Sequence, residues 1–219
     1  MGKVIIWGNG KIAEVAYYYL THDSSFEIAG FCVDKEYKKS DKLFGLPVFE
    51  FEQLEYYYTP EECQLLFLIG YNGMNNLRQN RYYLAKERGY SFISYIHSSV
   101  NCYTDDIGEN VFVFENNVIQ PFTKIGNNVV IWSGNHIGHH AVIEDNCFIS
   151  SHVVISGSVH IGKNSFLGVN STIRDSVCVG EYNLIGAGVT ILKDTKDFDV
   201  YKSSQPIYIS KKSIDLSGI

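Results

Sequence analysis

The chain has 219 residues, of which 45% are hydrophobic and 19% charged, and its formal net charge is −6. Such a length accommodates one large domain or two small ones, each able to bury a core, and the composition is typical of a soluble globular protein. An acidic balance without a basic cluster lacks the electrostatic footprint of nucleic-acid or anionic-membrane binding, so we expect neither partner.

The N-terminal apolar run and the cysteines bear on location. Residues 4–7 are apolar, but this run is far too short for a signal peptide or a membrane span. The five cysteines are scattered and form no CxxC pair, so we expect neither a disulfide framework nor a zinc knuckle. A reducing, cytoplasmic location is the simplest interpretation.

A glycine-rich turn follows the first predicted strand. Residues 4–7 lead directly into Gly8-Asn9-Gly10-Lys11-Ile12-Ala13, which matches GxGxxA at a strand-to-helix turn, and a helix is predicted over residues 13–20. A tight turn with close helix packing explains the glycines, and so does a phosphate held by backbone N–H groups at the helix N-terminus. The second explanation makes Gly8, Asn9, Gly10 and Lys11 candidate substrate-binding residues.

Further strands are predicted over residues 26–33, 64–70 and 91–96, with a helix over residues 74–88. This pattern predicts a short Rossmann-like βαβ domain over residues 1–98, too short for a complete two-half dinucleotide fold. Asp34 follows the second strand near the offset of a ribose-binding acid, and Gly70, Tyr71 and Asn72 follow the third. Because ligands of open α/β sheets bind at the carboxyl ends of strands, we expect a nucleotide or nucleotide sugar there.

An unbroken period of six residues fills the second half of the chain. Steps of six from Ile107 to Ile191 meet only aliphatic residues, namely Val113, Ile119, Ile125, Ile131, Ile137, Ile143, Ile149, Ile155, Ile161, Leu167, Ile173, Val179 and Ile185. A small or β-branched residue mostly follows four positions later, and glycine often follows directly. This is the hexapeptide signature of a parallel β-helix.

Three hexads make one triangular coil, so residues eighteen apart stack at the strand spacing of about 4.8 Å. We predict a left-handed β-helix domain over residues 99–194 whose aliphatic side chains form an internal ladder. The open ends must be covered, one by the N-terminal domain and the other by the tail, residues 195–219, through Ile207 and Ile209.

A short GxGxxA domain joined by Ile96-His97-Ser98 to an uninterrupted hexapeptide prism resembles the family of sialic-acid O-acetyltransferases and bacterial nucleotide-aminosugar N-acetyltransferases. The resemblance implies a homotrimer with acetyl-CoA between adjacent prisms. It also implies a sugar acceptor whose nucleotide rests on the N-terminal domain, a role in cell-surface polysaccharide synthesis, and acetyl transfer to an amino or hydroxyl group.

The resemblance places the catalytic base on His139. This residue lies just outside the aliphatic rung at Ile137, so its imidazole should point off the prism, where it can serve as a general base. Gly157 stacks on His139, leaves room for a thioester, and offers its backbone N–H to the carbonyl oxyanion. A surface histidine beside a corner glycine is the alternative interpretation.

The chain departs from the family pattern at three places. The acidic neighbour of the catalytic histidine is His140 here, and a second histidine that many members carry is Phe148. The C-terminal Gly-x-Pro-Ala signature is replaced by residues 203–206, so contacts from the tail to CoA are not carried over.

Small residues near the far end of the prism are candidates for the pantetheine arm of CoA, and one lysine for its phosphate. These residues are Gly168, Asn170, Ala187, Gly188 and Lys193. The alternative is that the coil itself demands the small residues and that the lysine is solvated. His136, His140 and His152 are candidates for lining the acyl pocket.

Three other functions compete with acyl transfer. A zinc enzyme of the carbonic-anhydrase-like prism class would use histidines across a trimer interface, although we predict no metal here. A non-catalytic sugar-nucleotide-binding protein would explain the missing acid and the missing second histidine. A nicotinamide-dependent oxidoreductase would leave the prism without a role.

Overall fold

The computed structural model describes residues 2–204 and 210, which form an N-terminal α/β domain and a triangular parallel β-helix, here called the prism. The α/β domain contains Lys3–Trp7 (β1), Lys11–Asp23 (α1), Glu27–Val33 (β2), Lys42–Leu43 (β3), Leu46–Glu50 (β4), Cys63–Leu66 (β5), Asn76–Glu87 (α2) and Ser91–Phe92 (β6), with short 3-10 helices at Lys35–Tyr37 and Phe51–Tyr56. Its sheet has the order β3-β4-β2-β1-β5-β6, and only β3 runs antiparallel to its neighbour.

The alternation of side chains along the central strand explains the layers of this domain. Val4 and Ile6 of β1 pack in one cluster with Leu20 of α1, whereas Ile5 packs on the other side of the sheet with Tyr82 of α2. A strand buried on both faces reads as a continuous apolar run, as residues 4–7 do. The predicted Rossmann-like βαβ arrangement is confirmed.

Two predicted strands differ from the structure. The predicted strand 64–70 ends at Leu66, and the predicted strand 91–96 is two strands in different sheets. β6 pairs with β5, whereas Tyr95–Ile96 (β7) pairs with the prism strand Phe112–Val113 (β9). The chain therefore passes from the α/β domain to the prism within residues 91–96, an apolar run that can be buried in either domain.

The prism is built from strands of two residues each. They are β7, Asn101–Cys102 (β8), Phe112–Val113 (β9), Val118–Ile119 (β10), Lys124–Ile125 (β11), Val130–Ile131 (β12), His136–Ile137 (β13), Val142–Ile143 (β14), Phe148–Ile149 (β15), Val154–Ile155 (β16), His160–Ile161 (β17), Phe166–Leu167 (β18), Thr172–Ile173 (β19), Cys178–Val179 (β20), Leu184–Ile185 (β21), Thr190–Ile191 (β22) and Val200–Tyr201 (β23). The second residue of each strand from β9 to β22 belongs to the buried internal ladder.

Three faces and three corners organise this prism. The first face contains β7, β9, β12, β15, β18, β21 and β23, the second β8, β10, β13, β16, β19 and β22, and the third β11, β14, β17 and β20. All pairs are parallel, and residues eighteen apart are partners, as His136 and Val154 are. The predicted stacking and the uninterrupted coils are confirmed. We call the turn from the first face to the second the first corner, that from the second to the third the second corner, and the last the third corner.

Asparagines line the third corner. Asn110, Asn128, Asn146 and Asn164 all adopt positive φ, from 53° to 63°, which asparagine tolerates better than most residues. Their buried amides bond along the column, with Nδ2 to Oδ1 distances of 2.7, 2.7 and 3.4 Å. This column of amide hydrogen bonds satisfies polar groups that would otherwise be buried without partners.

The α/β domain packs on the first face and the third corner of the prism. Outward side chains of that face, among them Phe112 and Phe148, join the cluster that contains α1. Arg78 of α2 is fully buried and donates to backbone oxygens of Ile69, Asn128, Asn146 and Cys147. Burial lowers the pKa of Arg78 to about 10. Because the guanidinium has several acceptors, it ties the two domains together without a carboxylate partner.

The start of the predicted tail continues the coil. β23 pairs with β21, and Tyr201 packs against the internal ladder. Ile207 and Ile209, on which the predicted cover of the prism end depended, lie outside the described residues. Over the described part of the chain, no helix combines the length and the apolar character that a membrane crossing requires.

Candidate active site

The glycine turn of the α/β domain opens onto a cleft at the carboxyl ends of the central strands. Gly8 has a φ of +121°, and a Cβ on it would lie 3.1 Å from the Cβ of Ala13, so the backbone conformation and the close packing account for this glycine without a ligand. Gly10 differs, because a Cβ there would meet no atom within 4 Å. The fold does not require Gly10, which leaves the N-terminus of α1 open to a ligand.

This cleft has a volume of about 360 Å³ and gathers six of the predicted substrate-binding residues, Gly8, Asn9, Gly10, Lys11, Asp34 and Gly70. The Asn9 amide donates to the backbone oxygen of Tyr37 at 2.7 Å and so ties the glycine turn to the 3-10 helix at the rim. Sequence reasoning missed Tyr37, Lys39 and Leu77, which also line the cleft. They come from segments that carry no motif.

Asp34 lies at the edge of the cleft and is 7% exposed. Burial raises the pKa of Asp34 and outweighs the opposing effect of the Arg81 guanidinium. Arg81 donates through Nε at 2.8 Å and contacts through Nη2 at 2.7 Å, and both contacts fall on Oδ2. Within the described chain, Oδ1 has no hydrogen-bond partner, so Asp34 retains one oxygen with which to accept from a ligand hydroxyl.

A second groove lies between the α/β domain and the first face of the prism. Ile12 lines both the cleft and this groove, so the two are adjacent. Tyr71 stands over Phe166 and Phe148, with ring centroids 4.5 and 5.2 Å apart, and Phe148 occupies the position of the family's second histidine. The groove is therefore aromatic where that resemblance implies an imidazole.

The groove also contains two predicted CoA-binding residues, Gly168 and Ala187. Trp132, Ser150 and Ser151 line it as well and were not predicted. The buried Nε1 of Trp132 has no hydrogen-bond acceptor among the described residues. Asn72 is exposed and lines neither the cleft nor the groove.

His139 lies on the second corner, and its imidazole covers Gly157. A Cβ on Gly157 would lie 2.7 Å from Cε1 and 2.8 Å from Nε2 of the ring, so the missing side chain makes room for the imidazole. Sequence reasoning had assigned that room to a thioester. The His139 N–H donates to Gln120 Oε1 at 2.9 Å, whereas in the described structure the Gly157 N–H has no acceptor.

His140 stands where the resemblance implies an acid beside His139, and its ring contacts that of His139. Its Nδ1 lies 3.1 Å from Nδ1 of His139, and its ring packs on the exposed Phe122. If His139 donates from Nδ1, neutral His140 accepts with its own Nδ1 and carries its proton on Nε2. His139 Nε2 then has a free lone pair, which a general base needs.

The two other candidate pocket histidines do not contact His139 within the described residues. His136 is exposed on the second face. The His152 ring lies on the first corner beside Gly134, where a Cβ would be 2.7 Å from its Cε1. His160, a further prism histidine, pairs with Glu144 Oε1 at 2.9 Å.

Most predicted CoA-binding residues lie on the first corner, which is a different edge of the prism from His139. A Cβ on Gly168 would lie 2.7 Å from the Ala187 backbone nitrogen, so the coil itself demands this glycine. Asn170 and Gly188 have positive φ, as corner residues do. Lys193 is exposed and continues the column of His139 and Gly157. Within a single chain, the predicted CoA-binding residues of the first corner therefore lie apart from His139 and Lys193 on the second corner.

No three histidine, cysteine, aspartate or glutamate side chains converge as a metal site within residues 2–204.

The structure combines a glycine-lined cleft with a three-faced prism of six-residue turns. It therefore belongs to the class of hexapeptide-repeat proteins with an N-terminal α/β domain. Residues 106–138, 122–157 and 158–193 match the family model described as bacterial transferase hexapeptide (six repeats). The matched residues all lie in the prism.

Solved structures share the whole arrangement. The acetyltransferase domain of PglB from Neisseria gonorrhoeae gives a TM-score of 0.77 at 21% identity, over 91% of this chain and 96% of that one. A histidine-to-asparagine variant of perosamine N-acetyltransferase from Caulobacter crescentus, in complex with CoA and GDP-perosamine, gives 0.80 at 24% identity, over 91% and 93%. WeeI from Acinetobacter baumannii gives 0.77 at 16% identity, over 91% and 96%.

These likenesses confirm the predicted fold, an α/β domain followed by a left-handed parallel β-helix. No curated protein matches the chain significantly.

Proposed function

We propose that this protein transfers the acetyl group of acetyl-CoA to an amino group of a nucleotide-linked sugar. The observation that carries the proposal is the His139 imidazole, whose Nδ1 faces His140 at 3.1 Å while Nε2 lies over Gly157. Similar structures support the ligands, since the PglB domain was solved with acetyl coenzyme A and the perosamine enzyme with CoA and GDP-perosamine.

The reaction needs a base and an oxyanion donor. The acceptor nitrogen attacks the thioester carbonyl carbon while His139 Nε2 takes a proton from that nitrogen. The carbonyl oxygen becomes an oxyanion, which accepts a hydrogen bond from the free N–H of Gly157. The C–S bond then breaks, and the CoA thiolate receives the proton from His139. The products are the N-acetylated sugar and CoA with a free thiol.

The nucleotide of the acceptor is placed in the glycine-lined cleft. The open space at Gly10 admits a phosphate to the N-terminus of α1, where backbone N–H groups and the helix dipole favour an anion. The free Oδ1 of Asp34 suits a ribose hydroxyl. Lys39 lines the cleft and adds a positive charge for a diphosphate.

A homotrimer would bring the two halves of this site together. The α/β domain with its cleft packs on the first face and third corner, whereas His139 is exposed on the second corner. A sugar held in the cleft of one chain therefore meets the histidine of a neighbouring chain. Acetyl-CoA would lie between adjacent prisms, along Gly168, Asn170, Ala187 and Gly188 of one and toward Lys193 of the other.

The proposed units of the chain are residues 1–98 for the acceptor, 99–194 for acyl transfer and 195–219 as the tail. All five cysteines are free thiols, which suits the reducing cytoplasm where acetyl-CoA is available. The product would serve cell-surface polysaccharide synthesis.

A thiol-release assay tests the proposal directly. Purified protein is given acetyl-CoA and pairs of nucleotide sugars that differ only in an amino or a hydroxyl group at one carbon, and products are identified by mass spectrometry. We expect release of CoA with at least one amino sugar. Binding of nucleotide sugars without any turnover would show a non-catalytic binding protein instead. Stoichiometric zinc with hydratase activity would favour the metalloenzyme.

Sedimentation should show a species of about three chain masses. A stable, active monomer would remove the shared site from the proposal.

A further inference from the structure

Asp175 lies on the second corner in the same column as His139, two coils further along, with Gly157 between them. The position that a Gly157 Cβ would occupy is 2.8 Å from His139 Nε2 and 3.0 Å from Asp175 Oδ1. The imidazole and the carboxylate therefore reach toward each other across the glycine. Their reactive atoms lie less than about 6 Å apart, since both flank one point.

The remaining polar atoms of the two groups are already engaged. Asp175 Oδ2 accepts from Ser176 Oγ at 2.8 Å, and His139 Nδ1 faces His140. In the part of the chain that the structure describes, neither a hydrogen bond nor an ion pair joins Asp175 to His139 or to Lys193, the next residue of the column. With the His139 proton on Nδ1, Oδ1 of Asp175 and Nε2 of His139 are two free acceptors that face one gap.

The gap suits one polar atom of a ligand. A nitrogen or oxygen that donates to both acceptors would lie about 2.9 Å from each, which fits within the upper bound of about 6 Å on their separation. A hydroxyl has a single proton and cannot donate to both groups. An amine has two N–H groups and can.

We propose that Asp175 is a catalytic residue that holds the acceptor amine against His139. This inference rests on the proposed acetyl transfer. One N–H of the amine donates to Asp175 Oδ1 and the other to His139 Nε2, so that the lone pair points at the thioester carbonyl. His139 takes its proton as the C–N bond forms, and the C–S bond then breaks. The Asp175 carboxylate stabilises the imidazolium that forms beside it.

Asp175→Asn tests the role of the charge. The amide can still accept from Ser176 Oγ, but it no longer offers a carboxylate oxygen to the amine. We expect kcat/KM for the amino sugar to fall about 10- to 100-fold, the loss of one charge-assisted hydrogen bond. The KM for acetyl-CoA should be unchanged.

Asp105→Asn is the matched control, because Asp105 is an exposed aspartate near the opposite end of the prism from Asp175. It should have wild-type kinetics. Asp175→Ala, checked by its thermal melting, should show at least the loss of Asp175→Asn and guards against a fold defect in a single variant. If wild type is active and both Asp175 variants match it, the role of Asp175 is wrong. If wild type transfers acetyl to no acceptor, the proposed function itself fails, and the two outcomes are distinct.

Discussion

The imidazole of His139 occupies the space in which a side chain at Gly157 would begin, with Cε1 only 2.7 Å from that position. The absence of a side chain at Gly157 therefore makes room for the imidazole of His139, independently of any ligand. Because the two residues are eighteen apart, their stacking follows from the repeat, whereas the direction of the ring follows from the contact between Nδ1 and His140.

Gly157→Ala is expected to displace the imidazole. A methyl group cannot remain 2.7 Å from a ring carbon, so the ring must rotate away and lose its position relative to the gap. We expect kcat to fall by at least about 10²-fold, as when a catalytic group is misplaced by an ångström. Thermal melting measures whether the fold persists. Wild-type kcat in a folded variant would show that the ring orientation does not matter.

His139→Ala and His139→Asn should each lower kcat by about 10²–10⁴-fold if His139 is the general base. Acetyl-CoA affinity and stability should change little, because the side chain is exposed on a corner outside the internal ladder. With an amine acceptor the defect should shrink as pH rises, since unprotonated amine can attack unaided. Near-normal kcat at neutral pH would refute the general-base role.

His140→Ala and His140→Asp separate the orienting role of His140 from mere proximity. Alanine removes the acceptor for His139 Nδ1 and should lower kcat, though less than loss of His139 itself. Aspartate restores an anionic acceptor and tolerates the positive φ of 59° at this position. It should retain activity near or above wild type. Equal kcat for wild type and His140→Ala would show that something else orients His139.

Gly10→Val should raise the KM of the nucleotide-sugar acceptor and leave the KM of acetyl-CoA nearly unchanged. The structure has no atom within 4 Å of a Cβ at Gly10, so the variant should fold and fail only where a phosphate approaches the helix. Gly8→Val is the contrasting variant, since its φ of +121° and its contact with Ala13 predict a loss of stability. Equal rises in both KM values for Gly10→Val would contradict a nucleotide site here.

Asp23→Asn should reduce stability in a pH-dependent way. Hydrogen bonds from Ser98 and Tyr95 lower the pKa of Asp23 to about 2 from its ordinary 3.8. A lowered pKa contributes stability that is present above pH 4 and lost as the pH falls toward 2. At pH 7 the variant should lose about 1–3 kcal/mol of unfolding free energy, and the difference should shrink at acid pH.

The control for this prediction is Asp41→Asn, which removes a surface ion pair with Lys38. Its unfolding free energy should stay close to wild type at every pH. Urea unfolding at several pH values measures both variants. A pH-independent loss for Asp23→Asn would mean that its carboxylate charge is not what stabilises the domain contact.

Local patterns in the sequence determined the backbone of the prism and the position of the glycine turn. The six-residue period alone predicts that Val130 pairs with Phe148, because parallel coils repeat every eighteen residues. The GxGxxA turn likewise predicted the cleft at Gly8 and Gly10, since the conformation and open space that glycine provides are local properties.

Tertiary structure decided which side chains meet. Asp34 faces Arg81, forty-seven residues away, and Arg78 reaches backbone oxygens of the other domain, neither of which any period or motif announces. Asp175 was not predicted either. Its carboxylate lies two coils from His139, and the two side chains approach each other only because of their rotamers and because Gly157 between them has no side chain. Periodicity reports the path of the backbone. The direction of each long polar side chain depends instead on packing and hydrogen bonds between segments distant in sequence.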